Sequence, residues 1–156
     1  MATLYRCLLA ANGVEGPDWF QTQDSLIKPG YVVQRGDEGK KIAIAPTSCP
    51  YPLGVADCPS YHDLNTVFTA THPVPVWLCG SGVDINVLHD DDTGATTLIA
   101  GEKFISDDSN AGCVMLWAYT DNAVATDTMS GFVGRLLYDV TIAGDTATFI
   151  PLKLSL

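Results

Sequence analysis

Pro75-Val76-Trp77-Leu78-Cys79-Gly80-Ser81-Gly82-Val83-Asp84-Ile85-Asn86-Val87-Leu88 is the stretch that decides the fold class. Two apolar runs flank a Gly-Ser-Gly turn. In the second run Val83, Ile85 and Val87 alternate with Asp84, Asn86 and Leu88. Period two belongs to a strand, because successive side chains point to opposite faces. The 14 Gly and 9 Pro of the chain continue this rhythm of short apolar runs and turns in both directions.

Downstream, residues 90–94 read as an acidic turn and 96–99 as a strand. Gly101-Glu102 turns into Phe104-Ile105, residues 107–112 turn again, and 113–119 read as a buried strand. Residues 132–142 and 146–156 form a last pair around Ala143-Gly144-Asp145. In the second member Phe149, Pro151, Lys153 and Ser155 face one way, and Ile150, Leu152, Leu154 and Leu156 the other. Pro151 lacks a donor and so predicts an edge strand or a bulge.

Upstream, Lys28-Pro29-Gly30 is a strong turn signal, since Pro presets one turn angle and Gly supplies positive φ. Residues 31–34 and 41–45 flank 35–39 as a hairpin. Residues 46–60 hold Pro46, Pro50, Pro52 and Pro59 and read as a long ordered loop, with a short strand at 53–56. Residues 61–70 are the best helix candidate, capped by Asp63 with Leu64, Val67 and Phe68 on one face. Their Thr and β-branched content opposes that assignment. Residues 3–10 read as a first strand, and Gly16-Pro17-Asp18-Trp19-Phe20 as a loop landing on an aromatic anchor. The expectation is an all-β chain, a small β-barrel or β-sandwich with long ordered loops and at most one or two short helices. Residues 1–27 differ in texture and are read as an amino-terminal strand or arm that reaches neighbouring subunits. Residues 28–156 are read as the barrel-like body.

Composition narrows the function. The 156 residues are 47% hydrophobic and only 17% charged, enough for one real core with part of the surface against a partner. A net charge of −10, from 8 Lys and Arg against 18 Asp and Glu, opposes nucleic-acid contact, which needs a basic face. No apolar run approaches a membrane span and no secretory leader is recognisable, so a cytosol-made chain with no membrane partner is expected. The five cysteines, Cys7, Cys49, Cys58, Cys79 and Cys113, are an odd count. They read as reduced thiols, with a Cys49–Cys58 bridge as the alternative.

No catalytic pattern emerges. His62, His72 and His89 lack ligand partners at metal spacing, so neither metal nor cofactor is expected. His89-Asp90-Asp91-Asp92-Thr93-Gly94 has carboxylates for a hard cation but no EF-hand spacing. It and Asp107-Asp108 are read as solvated hairpin tips. Ser60-Tyr61-His62-Asp63 has the residue types of a triad, but adjacent positions do not form the relay. The Gly-x-Ser-x-Gly elbow, the Walker loop and the dinucleotide fingerprint are missing. The trimeric all-β dUTP pyrophosphatases share the length, but their Arg-Ser-Gly step and Gly-rich phosphate motif are not in this sequence. The expectation is a chain that is not an enzyme.

Two stretches together resemble a known family. Lys28-Pro29-Gly30-Tyr31-Val32-Val33, followed by Pro52-Leu53-Gly54-Val55-Ala56, is similar to the opening of small phage capsid decoration (cement) proteins. Val74-Pro75-Val76 with Gly80-Ser81-Gly82, then Ile99-Ala100-Gly101-Glu102, resembles their central sheet. Gly134-Arg135-Leu136-Leu137-Tyr138-Asp139-Val140 resembles their closing strand, with Leu136 and Tyr138 in place of the usual Ala and Glu. The resemblance covers 28–156 and rests on short motifs. It implies a tulip-like barrel on the outer surface of an icosahedral virion, made in the host cytoplasm. It also implies a homotrimer whose partner is the major capsid protein and whose role is to clamp and stabilise the shell. Tyr5, Trp19, Phe20 and Tyr31 are then the candidate capsid or subunit contacts, because aromatics dominate interface energetics. A second expectation is a carbohydrate-binding or small-ligand barrel displayed on a virion, with Trp77, Asp84, Asn86 and Asp121 as its residues.

Overall fold

The computed structural model describes residues 7–59, 62–90, 96–117, 131–143 and 147–155. Thirteen strands occur among them, and no helix. In chain order they are β1 (Leu8–Ala10), β2 (Asp18–Thr22), β3 (Val32–Arg35), β4 (Lys41–Ile44), β5 (Gly54–Ala56), β6 (Pro73–Leu78) and β7 (Asp84–His89). They continue with β8 (Thr96–Leu98), β9 (Lys103–Ser106), β10 (Val114–Leu116), β11 (Phe132–Leu136), β12 (Val140–Ile142) and β13 (Thr148–Lys153). The all-β expectation holds.

Two rings of strands account for the architecture. The first is a closed barrel in the order β2-β4-β3-β5-β6, shut by β2 pairing with β6. The second is a sheet ordered β1-β7-β10-β9-β11-β13, and β7 pairs with β13 along its whole length, so this sheet also returns on itself. Closure satisfies the backbone donors and acceptors that an open edge would leave to solvent or to another chain. A two-stranded ribbon, β8 with β12, accompanies them.

Strand alternation divides the apolar side chains between two cores. In β3, Val33 points into the barrel and Val32 out of it. In β5 the pair is Ala56 and Val55, and in β6 it is Val76 and Trp77. The inward set joins Ile27, Ile42, Phe68 and Val74 inside the small barrel. The outward set packs with Val83, Ile85, Val87, Phe104, Ile150, Leu152 and Leu154 of the larger ring. One face of the barrel therefore belongs to the second core, which fixes how the two rings meet.

The Lys28-Pro29-Gly30-Tyr31 turn ties that seam with backbone hydrogen bonds. Gly30 donates to Ala56 of the barrel at 2.7 Å and accepts from Leu88 of β7 at 2.9 Å. Its φ of +85° and its closeness to the Phe149 ring leave no room for a side chain. Gly112 repeats the device, donating to Ala45 and accepting from Val32. The second tie is Asp57, which is 1% exposed. Its Oδ1 accepts from the N–H groups of Cys7, Leu8 and Cys58, and its Oδ2 from the Trp77 indole at 3.0 Å.

Four expectations are corrected. Residues 62–70 make turns, not a helix. Asp63 caps only one turn, through Asn65 N–H and its own carbonyl to Thr66, and Phe68 is then drawn into the barrel, where its N–H meets Ile27. Thr66, Val67 and Thr69 oppose helix continuation. Asp18, Trp19 and Phe20, read as the end of a loop, belong to the barrel strand β2. Pro151 is neither at an edge nor in a bulge: it lies buried in β13, opposite Asn86. Its carbonyl accepts from Leu137, so the donor it lacks would face the side where β11 has already ended at Leu136. Residues 132–142 are two strands, of which only the first pairs with β13, while β12 pairs with β8. Within residues 7–27, β1 pairs with β7 and β2 closes the barrel.

Replacing Asp57 with Ala should cost about 4 kcal/mol, because it strands several buried donors at roughly 1–3 kcal/mol each. Gly30→Ala should cost roughly 2–4 kcal/mol through overpacking and left-handed strain. Urea unfolding measures both. A loss under about 1 kcal/mol at Asp57 would remove its structural role.

Candidate interaction surface

The candidate contact residues separate by strand parity. Trp19 sits on the outer face of β2, opposite Pro75 on β6, and is 48% exposed. Phe20, one step on, turns toward the barrel core and is half-buried. Tyr31 also packs against that core, and its ring lies where a side chain on Gly112 would fall. Burial, then Cys113 and Asp90, push the Tyr31 phenol above its ordinary pKa. Tyr5 lies outside the described residues. The structure thus leaves Trp19 presented to solvent, while Phe20 and Tyr31 pack against the barrel core.

Sequence reasoning missed the most prominent aromatic. Tyr51 is 86% exposed, between Pro50 and Pro52. Prolines fix φ on both sides of it. The loop is pinned by Ser48 N–H to Asp107 carbonyl, Gly131 N–H to Pro50 carbonyl and Leu53 N–H to Val33 carbonyl, each 2.8–2.9 Å. Buried Cys49 anchors it from below. The signal was legible as Pro-Tyr-Pro, a rigid mount for a ring. A pre-organised aromatic loses little freedom on binding, which favours it as an anchor. Leu9, Leu26, Ile99 and Tyr138 are the other large apolar side chains exposed among the described residues.

The residues proposed for sugar stacking are engaged elsewhere. The Trp77 ring is buried in the second core and held by Asp57. Asp84 pairs with Lys153 at 2.9 Å, and Asn86 is buried. Asp121 lies outside the described residues. Trp117 is half-exposed, with the Lys103 ammonium 5.1 Å from its ring centre.

Among the described residues, His62, Asp63, His89 and Asp107 serve the structure. His62 stacks on Phe68 at 4.1 Å, and its Nε2 lies 2.7 Å from the Thr66 carbonyl oxygen. Asp63 receives the Asn65 N–H, so neither is turned to the other as a relay requires. His89 is buried edge-on to Phe104. Ser60 and residues 91–95 lie outside the described residues. Asp107, expected at a solvated tip, is instead buried, accepting from Ser109 and Asn110 N–H groups to shape the turn. No group of three metal-ligating side chains occurs among the described residues.

All five cysteines are free thiols. Burial pushes Cys79 and Cys113 up to about 12, aided by Cys49 for the first and by Asp90 and Asp107 for the second. Burial also raises Cys49 and, with Asp57, Cys7. The thiolate is the nucleophile, so these four are poorly suited to covalent catalysis at neutral pH. No protein-family model matches the chain, and no curated protein matches it either.

The thiols carry a pH prediction. Above the ordinary value of 9.0 the unfolded chain sheds the Cys79 and Cys113 protons, while the folded chain keeps them up to about 12. The unfolded state then binds fewer protons, so stability falls as pH rises through this window and is unaffected by these groups below it. Urea midpoints at pH 9 and 11 should show the fall, with a shallower slope in the Cys79→Ala, Cys113→Ala double variant. An identical slope would contradict the assignment.

Proposed function

We propose that this chain is a structural virion protein that binds the outer surface of an icosahedral capsid and clamps major capsid protein subunits. The observation that carries the reading is the placement of its functional groups. Asp57, Asp63 and Asp107 hold the seam and the loops through hydrogen bonds, while Trp19 and Tyr51 are presented outward on a strand and a proline-braced loop. Such an arrangement offers adhesion, and among the described residues no three metal-ligating side chains come together. The resemblance of residues 28–156 to phage decoration proteins points the same way.

The physics of the role fits the molecule. A shell under internal pressure pulls its capsomers apart, and a clip that buries apolar surface across a seam opposes the separation. Many copies act together, so each contact can be modest. With a net charge of −10, the clip's docking ground on the shell is apolar with a basic rim. Homotrimerisation at a local symmetry axis, implied by the same resemblance, would multiply the anchors per docking event.

The test is co-sedimentation of purified protein with mature parent capsids stripped of it, together with capsid heat release. Binding and a higher rupture temperature are expected. Trp19→Ala and Tyr51→Ala should each weaken binding by about tenfold or more, as anchor truncation does, while leaving the unfolding temperature of the free protein unchanged. Capsids that neither retain the protein nor gain heat resistance would end this reading.

A further inference from the structure

Cys7 and Cys58 share an anchor. The Cys7 N–H donates to Asp57 Oδ1 at 2.8 Å and the Cys58 N–H to the same oxygen at 2.7 Å. Two nitrogens bound to one oxygen at these distances lie within 5.5 Å of each other. Each Cα stands about 1.46 Å from its nitrogen, and a disulfide spans Cα atoms about 4.4–6.8 Å apart. Cys58 is also among the groups that shift the Cys7 pKa, which burial raises first and Asp57 next. Both side chains are buried, so their separation is held by packing. Cys7 belongs to the segment entering β1, where its carbonyl accepts from Asn86 of β7, and Cys58 to the segment leaving β5. The two thiols therefore flank the seam between the rings.

We propose that Cys7 and Cys58 are a redox latch, forming a disulfide when the chain meets a small-molecule disulfide such as oxidised glutathione. In the first step one cysteine loses its proton to solvent and its sulfur attacks the oxidant. A mixed disulfide forms, and one glutathione leaves as thiolate. In the second step the other cysteine loses its proton, and its sulfur attacks the protein sulfur of the mixed disulfide. The Cys7–Cys58 bond forms and the second glutathione departs. Two protein thiols are oxidised and one glutathione disulfide is reduced to two thiols. The Cys58 thiol, which in the reduced form sits 3.1 Å from the His62 carbonyl oxygen, gives up that contact. Burial makes the first step wait on local opening, so the latch closes slowly. Once closed, it fastens β1 to the barrel beside Asp57 by a covalent bond.

The sequence reads the cysteines as reduced thiols with Cys49–Cys58 as the alternative bridge, and in the structure Cys49 helps to raise the pKa of Cys79. These pairs are the rivals in the test. Purified protein is incubated with millimolar oxidised glutathione, with and without urea below the unfolding transition to promote opening. It is then denatured, and free thiols are counted with a chromogenic disulfide. The five thiols should fall to three, and digestion without reductant should yield a Cys7–Cys58 peptide pair that disappears on reduction. The urea midpoint should rise on oxidation in the parent chain and stay fixed in Cys58→Ser, whose hydroxyl can still donate to His62. Five thiols persisting in both conditions, or a mapped bridge that uses Cys49, would overturn the proposal.

Discussion

A buried carboxylate holds the molecule together. Asp57 sits where the small barrel meets the larger ring and takes hydrogen bonds from Cys7, Leu8, Cys58 and Trp77. A charge removed from water is costly, and only a full set of donors offsets that cost. The requirement works as a specification. Unless the segment before β1, the end of β5 and the indole on β6 arrive together, the carboxylate is unsatisfied. The seam is thus the place where the fold is most exacting, and the Gly30 and Gly112 backbone contacts run alongside it.

The same seam marks the boundary of what the amino-acid sequence disclosed. Strand identity was legible wherever apolar and polar residues alternate, as in 83–88 and 148–154, because one buried face leaves its period in the sequence. The turn at Lys28-Pro29-Gly30 was legible from backbone chemistry alone. What failed to show was pairing. Asp18–Thr22 carries Asp, Trp and Gln on a barrel whose outer face is partly wet, so its pattern resembles a loop. Pro151 argued for an edge by a sound rule, but the rule could not know that β11 stops one residue short of needing the missing donor. Asp57 gave no signal at all. A lone acidic residue before Cys58 gains its meaning only from groups about 20 and 50 positions away.

The candidate surface was half legible for a related reason. Aromatic residues next to turns were visible, yet parity along a strand decides which of two neighbours faces solvent. That divides Trp19 from Phe20. Tyr51 was overlooked because a proline-rich stretch reads as the absence of structure, although prolines braced by hydrogen bonds make one of the stiffer mounts available to a side chain. For the adhesive role proposed above, the distinction matters. Affinity depends on how little a contact residue must be ordered on docking as much as on how much area it covers.

Closure of both rings has a temporal cost. β2 completes the first barrel only by meeting β6, some fifty residues later, and β7 completes the second only when β13 is present. At a synthesis rate of roughly 5–20 residues per second, the early strands wait seconds for their partners. Non-local closure of this kind also slows the final search. During that interval the nascent chain exposes the apolar stripes that later line two cores, the kind of surface through which unfinished chains aggregate.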